Sequence, residues 1–244
     1  MRSSNSLIDN SVTRQASPTD VELLAGMLQV ASALVYDEPT TSSIAGLAES
    51  GLFDEVPEEI DDPAITEGSA LIKGWLSGYS DDKDAIAGLQ REWLRLFVGV
   101  GEPQAPSWAS YYSELDHRVY GRETLEVRKA YRKYGMEPET IHREPDDTLG
   151  LMLRFLAHLS ALEVQELDPG KAQELVVEQE SFLRTHILPW ICRWSYLGQK
   201  YASSDFYRGA VLFTFGAIRD FARTLGFAYH DDSQSFAYRK EAQR

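Results

Sequence analysis

The stretch from Leu149 to Glu163 constrains the fold more than any other part of this sequence. Leu149, Leu151, Met152, Leu153, Phe155, Leu156, Leu159 and Leu162 fall on nearly every side of a helix. A helix on a protein surface carries one apolar stripe, whereas a helix that is apolar all round has to be covered on all sides. The stretch is therefore predicted to be a central, buried helix, and the remaining chain must supply the elements that cover it. Helical spacing recurs on both sides of it. No segment shows sustained strand alternation, and no period of 20 to 50 residues repeats, so the expected architecture is all-α, a single globular helical domain.

Residues 1–19 are polar and read as a disordered lead-in, and 229–244 as a polar, frayed tail. Between them, Asp20 is the expected N-cap of a helix over Val21 to Tyr36, followed by a short helix near Ser42 to Ser50. An acidic, solvated linker from Asp54 to Pro63 precedes a helix over Ala64 to Tyr79. Asp81 and Asp82 open the next helix, whose stripe Ile86, Leu89, Trp93, Leu96, Phe97 faces a core. Glu123 to Tyr134 is a charged helix stopped by Gly135. The segment around 137–147 is placed to hinge two lobes of about 20–136 and 145–228, which leaves monomer and swapped dimer both open. After the central helix come Lys171 to His186, a break at Pro189, a helix carrying Trp190 and Trp194, and a long apolar helix over Ser204 to Leu225.

Charge narrows the function. Lys and Arg number 24 against 38 Asp and Glu, a net charge of −14, so a broad nucleic-acid surface is disfavoured and a basic partner is attracted. The one cysteine, Cys192, leaves no disulfide framework and fits a reducing compartment such as the cytoplasm. No apolar run reaches the roughly 18 residues of a membrane span.

Catalytic spacing is missing. Gly99-Val100-Gly101 follows a helix, not a strand, and Gln104 stands where a third glycine of a dinucleotide loop belongs. His117, His142, His158, His186 and His230 show no metal-ligand spacing, and neither metal nor cofactor is expected. Glu144, Asp146 and Asp147 near His142 are candidates for acid–base work, but their place at a predicted helix start favours capping. The unusual feature is a loop, Gly99 to Tyr112, that interleaves Gly99, Gly101, Pro103 and Pro106 with Trp108, Tyr111 and Tyr112. Aromatic rings on a loop are either buried or offered to a partner, and beside carboxylates they suit a basic, apolar peptide.

Three stretches together resemble a known family. Glu92 to Tyr112 is similar to a motif in which a glutamate-led helix ends in Leu-Phe and runs into a Gly-Pro-Gly and proline-rich tryptophan segment. Glu144-Pro145-Asp146-Asp147 resembles a second motif, and His186-Ile187-Leu188-Pro189-Trp190 with Phe206-Tyr207 a third. The order and spacing are those of the TorD/DmsD family of redox-enzyme maturation chaperones, over about residues 20 to 225. The resemblance implies an all-helical cytoplasmic chaperone, not an enzyme. Its partners would be the twin-arginine leader and the body of a molybdopterin oxidoreductase catalytic subunit of the dimethyl sulfoxide reductase class, held until cofactor insertion and export. It implies peptide-binding roles for Trp93, Leu96, Phe97, Gly99, Pro106, Trp108 and Ser110, with Tyr112 on the same loop, and for Glu144, Pro145, Asp146 and Asp147 as the opposite wall. The sequence departs from the family at Val100 and Ser107, where prolines are usual, at Thr148, where a histidine is typical, and at Met152, where glutamate is frequent. Two other functions stay open at this stage: a nucleotide-binding regulator, since some relatives are suspected of weak guanine-nucleotide binding, and a helical adaptor for another protein.

Overall fold

The computed structural model describes residues 13–79, 83–99, 101–113, 120–137 and 145–239. Val100, Asp81, Asp82, His117, His142 and Glu144 lie outside them, as do 1–12 of the expected lead-in, 138–144 of the expected hinge and 240–244 of the expected tail. The described residues form ten α-helices and one small hairpin: α1 Pro18–Tyr36, α2 Thr41–Ser50, α3 Pro63–Ser77, α4 Lys83–Trp93, α5 Ala109–Ser113, α6 Arg122–Lys133, α7 Leu149–Gln165, α8 Pro169–Phe182, α9 Ile191–Tyr201, α10 Asp205–Thr224, β1 Phe227–His230 and β2 Ser235–Tyr238.

Helix α7 is the expected central helix. Leu149, Met152, Leu153, Phe155, Leu156 and Leu159 are all fully buried. Helices α1 and α8 pack along it, and α10 packs on α1, α3 and α9. The beginning of α7 meets the end of α1, where Gly150 faces Tyr36; its end meets the residues before α1, where Glu163 pairs with Arg14. The two helices therefore run antiparallel. Elements on both sides of the expected hinge share one apolar cluster.

The helix starts follow the capping rules, with corrections. The cap of α1 is Ser17, not Asp20: Ser17 accepts from the Asp20 N–H while the Asp20 carboxylate accepts from the Ser17 N–H at 3.0 Å, and Pro18 takes the first turn. Asp62 before Pro63 and Asp168 before Pro169 cap α3 and α8 with a side-chain carboxylate and a first-turn proline. The acidic linker exposes Asp54, Glu55, Glu58, Glu59 and Asp61, but Asp62 is largely buried against Arg219, and Ile60, with Phe53 just before the linker, is buried.

Four expectations fail in detail. Helix α4 does not continue as an α-helix to Phe97 but widens into a π-helical turn, Leu94–Val98. A second π turn, Leu183–Ile187, follows α8 where a regular helix was expected. Residues 13–17 are not a loose lead-in, because the Arg14 side chain is 4% exposed. The tail is not frayed through 238: β1 and β2 pair antiparallel from Phe227↔Tyr238 to His230↔Ser235, and Tyr229 packs edge-on to Phe215 of α10 at 5.3 Å.

Candidate functional site

The site is built where the first π turn gives way to the aromatic loop. A π turn adds one residue per hydrogen-bonded ring and commonly marks functional positions in helices. Here it leaves Leu96 and Phe97 buried while Val98 is exposed. Phe97 stacks on Trp194 at 6.1 Å and meets Tyr207 edge-on at 5.7 Å. The turn ends at Gly99, whose φ of +83° and whose N–H bond to Leu94 O reverse the chain. A side chain there would meet Gly101 O at 2.4 Å, so only glycine fits. That N–H is spent inside the protein and is not offered to a phosphate.

The loop then folds back along the turn, with Gln104 N–H bonded to Arg95 O at 3.0 Å and Ala105 N–H to Leu96 O at 2.8 Å. Pro103, Ala105 and Pro106 are buried beneath it. Ser107 Oγ accepts from the Trp194 indole N–H at 3.1 Å, and Ser107 O accepts from Leu149 N–H at 2.7 Å. Trp108 pairs with Thr148 in an isolated antiparallel bridge. The loop is thereby sewn to the first residue of the central helix. Tyr112 returns to it, donating to Pro106 O at 2.9 Å while its ring stacks on Trp190 at 4.9 Å; burial pushes its phenol pKa far up. Tyr111 donates to the exposed carboxylate of Glu102 at 2.7 Å.

Asp146 and Asp147 are interior residues, 1% and 0% exposed. Asp147 Oδ2 accepts the Ser110 N–H at 2.7 Å at the start of α5, and its Oδ1 accepts the Thr124 hydroxyl of α6 at 2.6 Å. Asp146 Oδ2 pairs with Arg128 at 2.5 Å, and its carbonyl accepts the Tyr131 hydroxyl at 2.8 Å. These two carboxylates clamp the loop to α6. Both are buried and committed to partners inside the protein, so they form no acidic surface; Glu144, the third carboxylate of that cluster, lies outside the described residues. Asp146 Oδ1 and Ser110 Oγ are buried without a partner among the described residues.

Between the loop, α4, the end of α1 and the start of α7 lies a cleft of about 290 Å³. Of the residues expected at a site, Trp93, Phe97, Trp108 and Pro145 line it. Leu96, Gly99, Pro106, Ser110, Tyr112, Asp146 and Asp147 stand behind it as support. Trp93 is half-buried, with its indole N–H bonded to Val35 O at 3.2 Å, which fastens the end of α1 to the site. The cleft also takes Val35 and Tyr36 from α1, Val98 from the π turn, Ser107, Tyr120 and Thr148. Val35, Tyr36 and Tyr120 carry no motif that marks them and reach the cleft only through tertiary packing. Thr148, a departure from the family, turns its hydroxyl to Pro145 O at 2.6 Å and so closes the turn. A cavity of about 150 Å³ holds one benzene, so this cleft has room for about two aromatic or aliphatic side chains. A larger hollow of about 730 Å³ beside Thr40, Thr41 and Tyr79 is open surface with no aromatic enclosure.

The three resembling stretches converge here. Trp190 of the third touches Tyr112 of the first, Tyr207 touches Phe97, and Asp147 of the second holds Ser110. A family model described as nitrate reductase delta subunit matches residues 59–195, more than half of the chain. The chain belongs to the TorD/DmsD family. Among similar proteins are the Tat proofreading chaperone DmsD of Salmonella typhi, 26% identical over 74% of this chain and 79% of its own length, and the chaperone protein TorD of a Psychrobacter strain, 31% identical over 44% of this chain and 48% of its own. A solved structure assigned to redox enzyme maturation in Archaeoglobus fulgidus aligns over 82% of this chain and 94% of that one, at 20% identity and a TM-score of 0.41. Across the TorD/DmsD match of 59–195 lie the π turn, the aromatic loop, the Asp146–Asp147 clamp and the second π turn. The cleft residues Val35 and Tyr36 lie before it.

Proposed function

We propose that this protein is a cytoplasmic maturation chaperone that holds the twin-arginine signal peptide, and with it the immature catalytic subunit, of a molybdopterin oxidoreductase until its cofactor is in place. The observation that carries the reading is the cleft itself. It is walled by Trp93, Phe97 and Trp108, sized for about two apolar side chains, and set on rigid helix ends. A leader joins arginines to an apolar segment, and the apolar part fits those walls. The arginines are drawn by the overall charge of −14 and by Glu38, exposed two residues after Tyr36 at the rim, whereas Asp37 between them is already paired with Arg154 at 2.6 Å. The names of the relatives, proofreading and chaperone proteins, support the same reading, as does an arrangement that buries its carboxylates as clamps instead of presenting them for catalysis.

The test is titration of the purified protein with a synthetic twin-arginine leader, followed by tryptophan fluorescence and calorimetry. Saturable binding is expected, and Trp108→Ala should weaken it at least tenfold while circular dichroism keeps its helical signal. Absence of binding at low salt, or equal affinity for a leader whose apolar segment is replaced by serines, would refute the reading.

A further inference from the structure

At the opposite end of α7 from the cleft, the protein buries the side chain of its own Arg14. The Arg14 guanidinium enters between the ends of α7, α8 and α10. Its Nε donates to both carboxylate oxygens of Glu163 at 3.0 and 3.1 Å, its Nη1 to Thr224 Oγ1 at 2.8 Å, and its Nη2 to Gln179 Oε1 at 2.6 Å. The face of Phe221 lies 5.0 Å from its carbon. The next residue adds a main-chain contact, Gln15 N–H to Thr224 O at 2.8 Å.

The acceptors are arranged by the helices and not by Arg14. Gln179 Nε2 donates to Glu163 Oε2 at 2.8 Å and to Leu175 O at 3.1 Å, which fixes its oxygen toward the guanidinium. Ser160 Oγ donates to that oxygen at 2.8 Å from the side. The Thr224 hydroxyl donates to Phe221 O at 2.8 Å and so keeps its lone pairs free to accept. Without Arg14 the site would therefore remain a preformed fork of one carboxylate, one amide oxygen and one hydroxyl oxygen over an aromatic face. The segment that delivers Arg14 is slight by comparison: Thr13, Gln15 and Ser17 are exposed on either side of it.

We infer that this is an exchangeable arginine site, which takes the arginine of an extended Arg-Xaa peptide when the chain's own segment is displaced, with residues 13–15 acting as an intramolecular stand-in. The geometry sets the chemistry of the ligand. Three nitrogens are read at once, so lysine, a point charge with no planar fork, does not substitute. The residue after the arginine must carry an N–H for Thr224 O, so Arg-Pro is excluded. The site is separate from the aromatic cleft. The residues from Gly150 to Glu163 between them span about 20 Å at 1.5 Å per helical residue, and the inference does not depend on what the cleft binds.

The full chain carrying Arg14→Ala is titrated with N-acetyl-Thr-Arg-Gln-Ala-amide, read by calorimetry and thermal shift. Expected are saturable binding that wild type shows at least tenfold more weakly, a tenfold or greater loss with lysine or Arg-Pro peptides, and loss of the response when Glu163→Gln is added. Equal response to arginine and lysine peptides, or binding that survives Glu163→Gln, would overturn the inference. Should the alanine variant not fold, wild type decides: excess arginine peptide should speed hydrogen exchange at the Gln15 amide, and an unchanged rate counts against exchange. Trp108→Ala should leave all of this unaltered, which separates the outcome from that of the leader titration.

Discussion

Replacing Asp147 with alanine tests whether the second motif contacts a ligand or holds the loop. The side chain is wholly buried and accepts two hydrogen bonds, from the Ser110 N–H at 2.7 Å and the Thr124 hydroxyl at 2.6 Å. Its removal leaves both donors buried, at about 1–3 kcal/mol each. The hydroxyl can rotate toward another acceptor but the backbone N–H cannot, so the expected loss is about 2–4 kcal/mol, out of a typical total of about 5–15 kcal/mol. For a chain of this size that lowers Tm by roughly 4–16 °C. Asp147→Asn should cost only about 1 kcal/mol: the amide oxygen still accepts from Ser110, and the amide N–H can donate to the Thr124 hydroxyl, which reverses its role. Urea unfolding read by circular dichroism and tryptophan fluorescence would give the midpoint and slope for each variant. A lowered midpoint with unchanged slope for the alanine variant, and a small shift for asparagine, is expected. Wild-type stability in Asp147→Ala with peptide binding abolished would refute the reasoning, because it would make Asp147 a ligand contact and not a clamp.

Two further outcomes follow from the same packing. A methyl group at Gly150 would lie 2.2 Å from Tyr36 Cβ, so Gly150→Ala should force α1 away from α7 at the rim of the cleft, costing about 1–3 kcal/mol; thermal unfolding measures the loss, and leader titration should show weakened binding together with it. Burial pushes the Cys192 thiol from 9.0 up to about 11, so near pH 8 its thiolate fraction falls about 100-fold relative to an unshifted thiol. Iodoacetamide labelling followed by mass spectrometry should be correspondingly slow and should accelerate only as pH approaches the raised value, and labelling at the rate of a free thiol would contradict that burial.

The central helix was legible because an apolar residue on every face admits one environment. The cleft was legible in part: Trp93, Phe97 and Trp108 follow from a stripe and an odd loop, but Val35 and Tyr36 arrive from a helix distant in sequence and carry no local mark. The π turns were not legible, since one displaced carbonyl, Leu94 O bonded to Gly99 N–H, separates them from an α-helix without any change in residue pattern. The hairpin hid because each strand has four residues, too few for alternation to stand out, although Phe227 and Tyr229 face the same way, as do Phe236 and Tyr238. Arg14 hid for a different reason. Composition averages over a polar segment, while residues 13–17 are held by the Arg14 side chain, the Gln15 N–H on Thr224 O and the Ser17–Asp20 capping box.

The fate of the carboxylates separates two contributions to recognition. Had Asp146 and Asp147 faced the cleft, a bound arginine would meet them in a desolvated pocket, and losing either would remove affinity directly. Instead they are spent on Arg128, Thr124 and Ser110, and the cleft walls are apolar. Charge is left to act from the surface, where it speeds encounter and is screened within about 8–10 Å by physiological salt. Under the proposed function the aromatic walls would act only after contact, and their effect would fall on the rate of escape. Under the proposed function the two would divide the work: the long-range field would collect a basic segment, and the cleft of about 290 Å³ would hold apolar side chains next to it.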